Sequence, residues 1–170
     1  MTDLTYPEVG ASRTDPLPAG YQHLVRSVRV GEGEEVFARV ADGVMRWRIH
    51  ELAGLRPLAD ADRAAVGATF VSRLGVGPFR LSVPCRVVWA VEEETLAGYA
   101  FGTRRGHPET GEECFRVRRD DDGGVWYELR AFSRPVSWYA RLGGPFTGWL
   151  QRTVTDRYVA AARTLARGDR

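Results

Sequence analysis

The sequence predicts an α+β fold, a curved antiparallel sheet with a long C-terminal helix packed on it. Three observations carry that prediction. Between residues 66 and 133, short stretches alternate apolar and polar residues and are joined by tight polar turns, the pattern of consecutive antiparallel strands. Residues 34–50 show instead an apolar period of three to four, and residues 145–167 show the same period without interruption. With 170 residues, 44% of them apolar and 27% charged, the chain fits a single domain over 1–170 with core enough to need no metal or disulfide.

The first 23 residues read as irregular, because Pro7, Pro16 and Pro18 with Gly10 and Gly20 recur too closely for a helix. Tyr6, Val9, Leu17 and Tyr21 are too apolar for a free tail, so this segment is expected along the domain surface, followed by a strand at 24–30. One amphipathic helix is expected over 34–50. Phe37, Val40, Ala41, Val44 and Arg48 share its stripe, and Glu34 and Glu35 sit in its first turn, where the macrodipole favours them. Gly43 costs this helix about 1 kcal/mol relative to alanine. Gly54 and Pro57 close the segment.

A strand at 66–74 comes next. Over 79–91, Val83, Cys85, Val87, Trp89 and Val91 alternate onto one face, and Pro84 demands a bulge or an edge because it lacks a ladder donor. The return strand, 96–103, carries Tyr99 and Phe101. After a loop at 104–110, Phe115 and Val117 face one way and Cys114, Arg116 and Arg118 the other. A turn at 120–124 leads to a strand over 125–133, with Val125, Tyr127, Leu129 and Ala131 on one face. Pro135 ends the sheet, a short helical piece is expected at 136–142, and Pro145 stands where a first helical residue belongs. Leu150, Val154, Tyr158, Ala161 and Leu165 then form the stripe of the terminal helix, 145–167. This order of elements matches the helix-grip (START/Bet v 1-like) arrangement, in which sheet and helix can enclose a cavity; a closed barrel, or a sheet backed by two helices, also accommodates it.

Composition removes several classes of chemistry. All 24 basic residues are arginine, which excludes Schiff-base chemistry and a Walker lysine. A balance of 24 basic against 22 acidic residues, with short basic clusters diluted by Asp120–Asp122, argues against nucleic acid as a partner. The N-terminal residues lack a signal pattern and no apolar run is long enough to span a bilayer, so a cytoplasmic domain without membrane attachment is the expectation. Three histidines in no metal-binding spacing, and no G-x-G-x-x-G or G-x-S-x-G, imply neither metal nor cofactor. Cys85 is expected to be buried, reduced and unreactive. The pattern says nothing about oligomeric state.

Aromatic residues are the informative inventory: five Trp, six Tyr and seven Phe. Trp89, Tyr99, Phe101, Phe115 and Tyr127 from the strands and Tyr158 from the terminal helix suit a small apolar or aromatic ligand if they flank one cavity, and a core if they do not.

Five segments, YPEVGAS (6–12), PAGY (18–21), VPCRVV (83–88), GYAFGTRRGHPETGEECF (98–115) and AFSRP (131–135), resemble in that order the DUF1990 family, also called UPF0548, of small bacterial and plant proteins. The block at 98–115 is the specific part. The resemblance spans the chain and brings no established activity, cofactor or substrate. It directs attention to Tyr6, Pro7, Gly10, Pro84, Cys85 and Arg86, then to Gly102, His107, Pro108, Gly111, Glu112 and Phe115, and finally to Ser133, Arg134 and Pro135.

Three functions follow as expectations. The first is a binder of a small apolar or aromatic ligand between sheet and terminal helix, with Arg86 and Arg134 supplying charge at its rim. The second is an enzyme using His107 as acid–base group with Glu112 orienting it, Glu113 replacing Glu112 if the register differs. The third is an interaction module whose segment 6–21 meets a partner. Pairing about a turn near residue 122 places 130 opposite 114 and 132–134 opposite 110–112, which brings Arg134 to the end of the sheet that holds Glu112 and predicts an ion pair between them. The competing role for Arg134 is to cover an aromatic ring, with Trp138 the ring expected.

Overall fold

Alternation and tight turns build one seven-stranded antiparallel sheet. The computed structural model describes residues 3–76, 79–136 and 144–168. Strand β1 (Gln22–Glu32) is followed by helices α1 (Glu34–Met45) and α2 (Arg48–Leu52), then by β2 (Leu58–Ala59), β3 (Thr69–Val76), β4 (Phe79–Glu92), β5 (Leu96–Thr103), β6 (Glu109–Arg119), β7 (Gly124–Pro135) and the long helix α3 (Gly144–Arg167). The spatial order is β1-β7-β6-β5-β4-β3-β2, so β1 joins the far side of a meander that starts at β2. β1 and β2 lie at opposite ends and do not pair. The sheet is therefore open and not strongly curved, which departs from the expected wrap and excludes a closed barrel. The helical piece expected at 136–142 lies, but for Val136, outside the described residues.

The apolar faces of α1, α2 and α3 close over one side of this sheet, here called the inner face. Val40, Val44 and Ile49 from α1 and α2, Tyr99, Phe115, Tyr127 and Leu129 from the strands, and Ala162 from α3 are all fully buried in that core. Gly43 has a packing reason: a Cβ there would stand 2.7 Å from Leu165 Cδ1, so the glycine lets α1 and α3 meet closely.

Two departures from regular periodicity matter for the site. The helix expected over 34–50 breaks at Arg46–Trp47, where Trp47 takes a left-handed φ of 66°, and a second short helix begins. Arg48 is exposed as a result, while Ile49 and His50 turn into the core. In β4 the ladder slips between Val87 and Trp89. One extra residue reverses the alternation, so Cys85 and Val87 pack inward while Trp89 joins Ala100 and Cys114 on the outer face.

Candidate functional site

The inner face is aromatic, with a polar thread through it. His50 is 1% exposed and surrounded by rings, with Phe115 at 4.9 Å and Tyr158 at 5.3 Å between centroids. Its Nδ1 lies 2.7 Å from the Tyr158 hydroxyl and its Nε2 2.6 Å from the Tyr99 hydroxyl. Burial holds this imidazole neutral by pushing its pKa down to about 3. Phe115 stacks near Tyr99 and Phe101, at 5.8 and 5.7 Å.

Glu113 shares this face, because strand alternation puts it with Phe115 and Val117, and it pairs across the ladders with Phe101 and Ala131. The side chain keeps some exposure, yet its apolar enclosure dominates. Burial first, then the charge of Glu109, raises its pKa to about 8, so it mostly holds its proton at neutral pH. Glu113 lies in electrostatic reach of Tyr99, Tyr127 and Tyr158, whose hydroxyls burial keeps protonated. The Tyr127 hydroxyl is wholly buried and has no hydrogen-bond partner among the described residues.

The outer face is built differently. Residues 3–21 run across it as a strap, and the strap is fastened at Glu112. That carboxylate is 2% exposed; one oxygen accepts from the Tyr6 hydroxyl and the Gly10 N–H, both at 2.7 Å, and the other from the Ser12 N–H at 3.0 Å and the Ser12 hydroxyl. The Ser12 oxygen in turn accepts from Trp89 Nε1 at 3.2 Å. Further along, Asp3 pairs with Arg86 at 2.8 Å and with Arg104, and Asp15 pairs with Arg130 at 2.6 Å. Gly102 leaves room for the Tyr6 ring: a Cβ there would lie 2.7 Å from Tyr6 Cε1 and closer still to its hydroxyl.

The residues expected to form one site therefore divide between two faces. Tyr99, Phe101, Phe115, Tyr127 and Tyr158 come together on the inner face. Glu112, Arg86 and Trp89 hold the strap on the outer face, and the Arg13 guanidinium lies 5.1 Å above the Trp89 ring. Arg134 does not pair with Glu112. The register is as expected, with Glu112 opposite Phe132 and Thr110 opposite Arg134, but the strap occupies both Glu112 oxygens. Arg134 instead lies 5.0 Å over the ring of Tyr21, a covering role on a different aromatic ring from Trp138, which lies outside the described residues. His107 is half-buried in the β5–β6 loop. Its Nδ1 accepts the Glu109 N–H at 3.0 Å, and burial lowers its pKa to about 4. His107 and Glu112 thus make their hydrogen bonds in different directions.

Sequence reasoning missed His50 and the role of the Tyr127 hydroxyl, and gave Glu113 only as a replacement for Glu112. The phase of β6 was sufficient to place Glu113 with Phe115. Nothing local marks His50, because the helix break that turns it inward resides in one backbone angle at Trp47. Cys85 and Cys114 are free, buried and on opposite faces of the sheet. Among the described residues, no three His, Cys, Asp or Glu side chains converge to hold a metal ion, and no helix is long and apolar enough to cross a membrane. An open groove of about 410 Å³ between α1 and the end of α3 is lined by Ala38, Arg39, Gly43 and Leu165, with Arg39 committed to Glu35 and to the Ala166 carbonyl.

Solved structures share this arrangement at low identity. A hypothetical protein from Helicobacter pylori superposes with a TM-score of 0.61 at 14% identity, over 96% of this chain and 98% of its own. A norcoclaurine synthase point mutant from Thalictrum flavum, in complex with a transition state analogue, gives 0.59 at 11% identity, over 87% of this chain and 95% of its own. In fold the protein resembles the Bet v 1/START helix-grip arrangement. In sequence, a UPF0548 protein of Deinococcus radiodurans is 32% identical over 96% of this chain and 86% of its own length. Residues 5–161 match the domain of unknown function DUF1990, and the chain belongs to that family.

Proposed function

We propose that the protein binds a small ligand with an aromatic or apolar body between the inner face of the sheet and α3. The observation that carries this reading is the Tyr127 hydroxyl, buried in electrostatic reach of Glu113 and without a partner among the described residues. A buried polar group left unsatisfied costs about 1–3 kcal/mol, and a core serving stability alone gains nothing from a hydroxyl there. Around it stand Phe101, Phe115 and Tyr158, rings suited to an apolar body. Burial also varies along this face. Phe101 and Ala131, which flank Glu113, keep 8% and 7% exposure, whereas Tyr99, Phe115, Tyr127 and Leu129 are wholly buried, and the proposed binding mode has the ligand enter on the Glu113 side. The Thalictrum synthase, solved with a transition state analogue, supports the capacity of such a fold to hold a small molecule.

The test is native mass spectrometry of gently purified protein together with titration of a fluorescent naphthalene probe. A co-purifying small molecule, or probe binding at one per chain that Phe101→Trp weakens, is expected. Protein that carries no added mass and takes up no probe refutes the reading.

A further inference from the structure

Donor and acceptor arithmetic on the inner face goes further than the presence of a site. A neutral imidazole has one N–H and one lone pair. His50 contacts two phenols, Tyr158 at Nδ1 and Tyr99 at Nε2. Whichever tautomer is present, one tyrosine donates its proton to the ring and the other accepts the ring N–H. That second tyrosine still holds its own O–H proton, and no acceptor for it exists among the described residues. The Tyr127 hydroxyl has no partner among them either. The interior therefore ends in two unspent phenolic donors, and neither needs to change protonation to donate.

We infer that the ligand carries an acceptor oxygen, a carbonyl or an ether-like oxygen on an aromatic or apolar body, which takes hydrogen bonds from the Tyr127 hydroxyl and from the free hydroxyl of the Tyr99–His50–Tyr158 chain. This rests on the binding reading above. Glu113 agrees with it: a protonated carboxyl adds a third donor and does not repel an acceptor. Against a ligand amine or ammonium the same phenols offer lone pairs, but their protons would then stay unpaired, and a buried unpaired donor is the costlier outcome.

The experiment uses two probes of nearly equal size, 2-acetylnaphthalene and 2-isopropylnaphthalene, measured on the full chain by competition against a fluorescent naphthalene probe. The ketone is expected to bind about tenfold tighter, the difference one well-made buried hydrogen bond provides. In Tyr127→Phe that preference should fall several-fold while the hydrocarbon binds as before, and whichever of Tyr99→Phe and Tyr158→Phe removes the free hydroxyl should reduce it as well. Tyr127→Phe removes only an unpaired hydroxyl, so the fold is expected to persist, which a thermal melt checks. Equal binding of the two probes in the native protein overturns the acceptor inference and leaves the binding reading in place. An unchanged preference in Tyr127→Phe, Tyr99→Phe and Tyr158→Phe alike overturns the assignment of these donors. Failure of both probes to bind overturns the binding reading itself.

Discussion

Replacing Glu112 with glutamine removes one oxygen from the fastening of the strap and should loosen residues 3–21 without touching the inner face. Each carboxylate oxygen accepts two donors, Tyr6 and Gly10 on one and the two donors of Ser12 on the other. A glutamine amide keeps one acceptor and turns an NH₂ toward the second pair, whichever way it is flipped. Two buried hydrogen bonds to a carboxylate are lost, each contributing about 1.5–3 kcal/mol net. Relaxation of the strap recovers part, so a loss of about 3 kcal/mol is expected. For a chain of this length that lowers the melting midpoint by roughly 6–12 °C. Hydrogen exchange supplies the local readout: amides of residues 10–14 should exchange faster, while those of β6 and β7 keep their protection above the altered global stability. A midpoint within 2 °C of the native protein, with unchanged exchange at Gly10 and Ser12, would refute the fastening role.

Gly102→Ala should cost about 1–3 kcal/mol by displacing the Tyr6 ring, and Tyr6→Ala should relieve that clash, so a double mutant no worse than Tyr6→Ala alone is expected in thermal melts. Stability should peak near pH 6.5. His50 and His107, held at about 3 and 4, stay neutral in the fold while the unfolded chain takes up their protons below about 6.5, so stability falls as pH drops. Glu113, raised to about 8, keeps a proton that the unfolded chain has released, so stability is full below about 4.5 and falls as pH rises toward 8. Two histidines outweigh one carboxyl below the peak, and Glu113 acts alone above it. Glu113→Gln should flatten the limb between pH 6.5 and 8; a native profile that rises across that interval contradicts the assignment. Cys85, whose thiol burial pushes well above its ordinary range, should react with a disulfide reagent far more slowly in the native protein than in urea, and Cys85→Ser should cost about 1–3 kcal/mol; labelling at the free-cysteine rate would overturn this.

What the sequence disclosed, it disclosed through short-range pattern. Alternation and a turn near residue 122 sufficed to place Cys114 opposite Arg130 and Glu112 opposite Phe132, as the structure has them. The stripe of α3 and the meander from β3 to β7 were legible for the same reason. Trp89 was assigned to the wrong face because a single bulged residue reverses every position after it, and the two residues of β2 are too few to show a period. The partners of Glu112 were out of reach altogether. A glutamate beside a second glutamate says nothing of a tyrosine, a glycine and a serine 100 to 106 residues earlier. The Arg134 pairing failed at this point, with geometry correct and chemistry already engaged.

The strap also imposes an order of assembly. Its first segment leaves the ribosome before anything it binds, and Glu112 emerges 106 residues after Tyr6. A short irregular stretch of this kind has no structure to form alone, and joining its ends to a distant strand carries the closure entropy of a loop of that length. The sheet must exist before the strap can dock, because both oxygens of Glu112 and the floor at Gly102 belong to strands that pair with each other. The YPEVGAS segment therefore docks on GHPETGEE only after that second segment has joined the sheet. Under stress this contact should be among the first released, which leaves the outer face of the sheet bare while the aromatic interior is still intact.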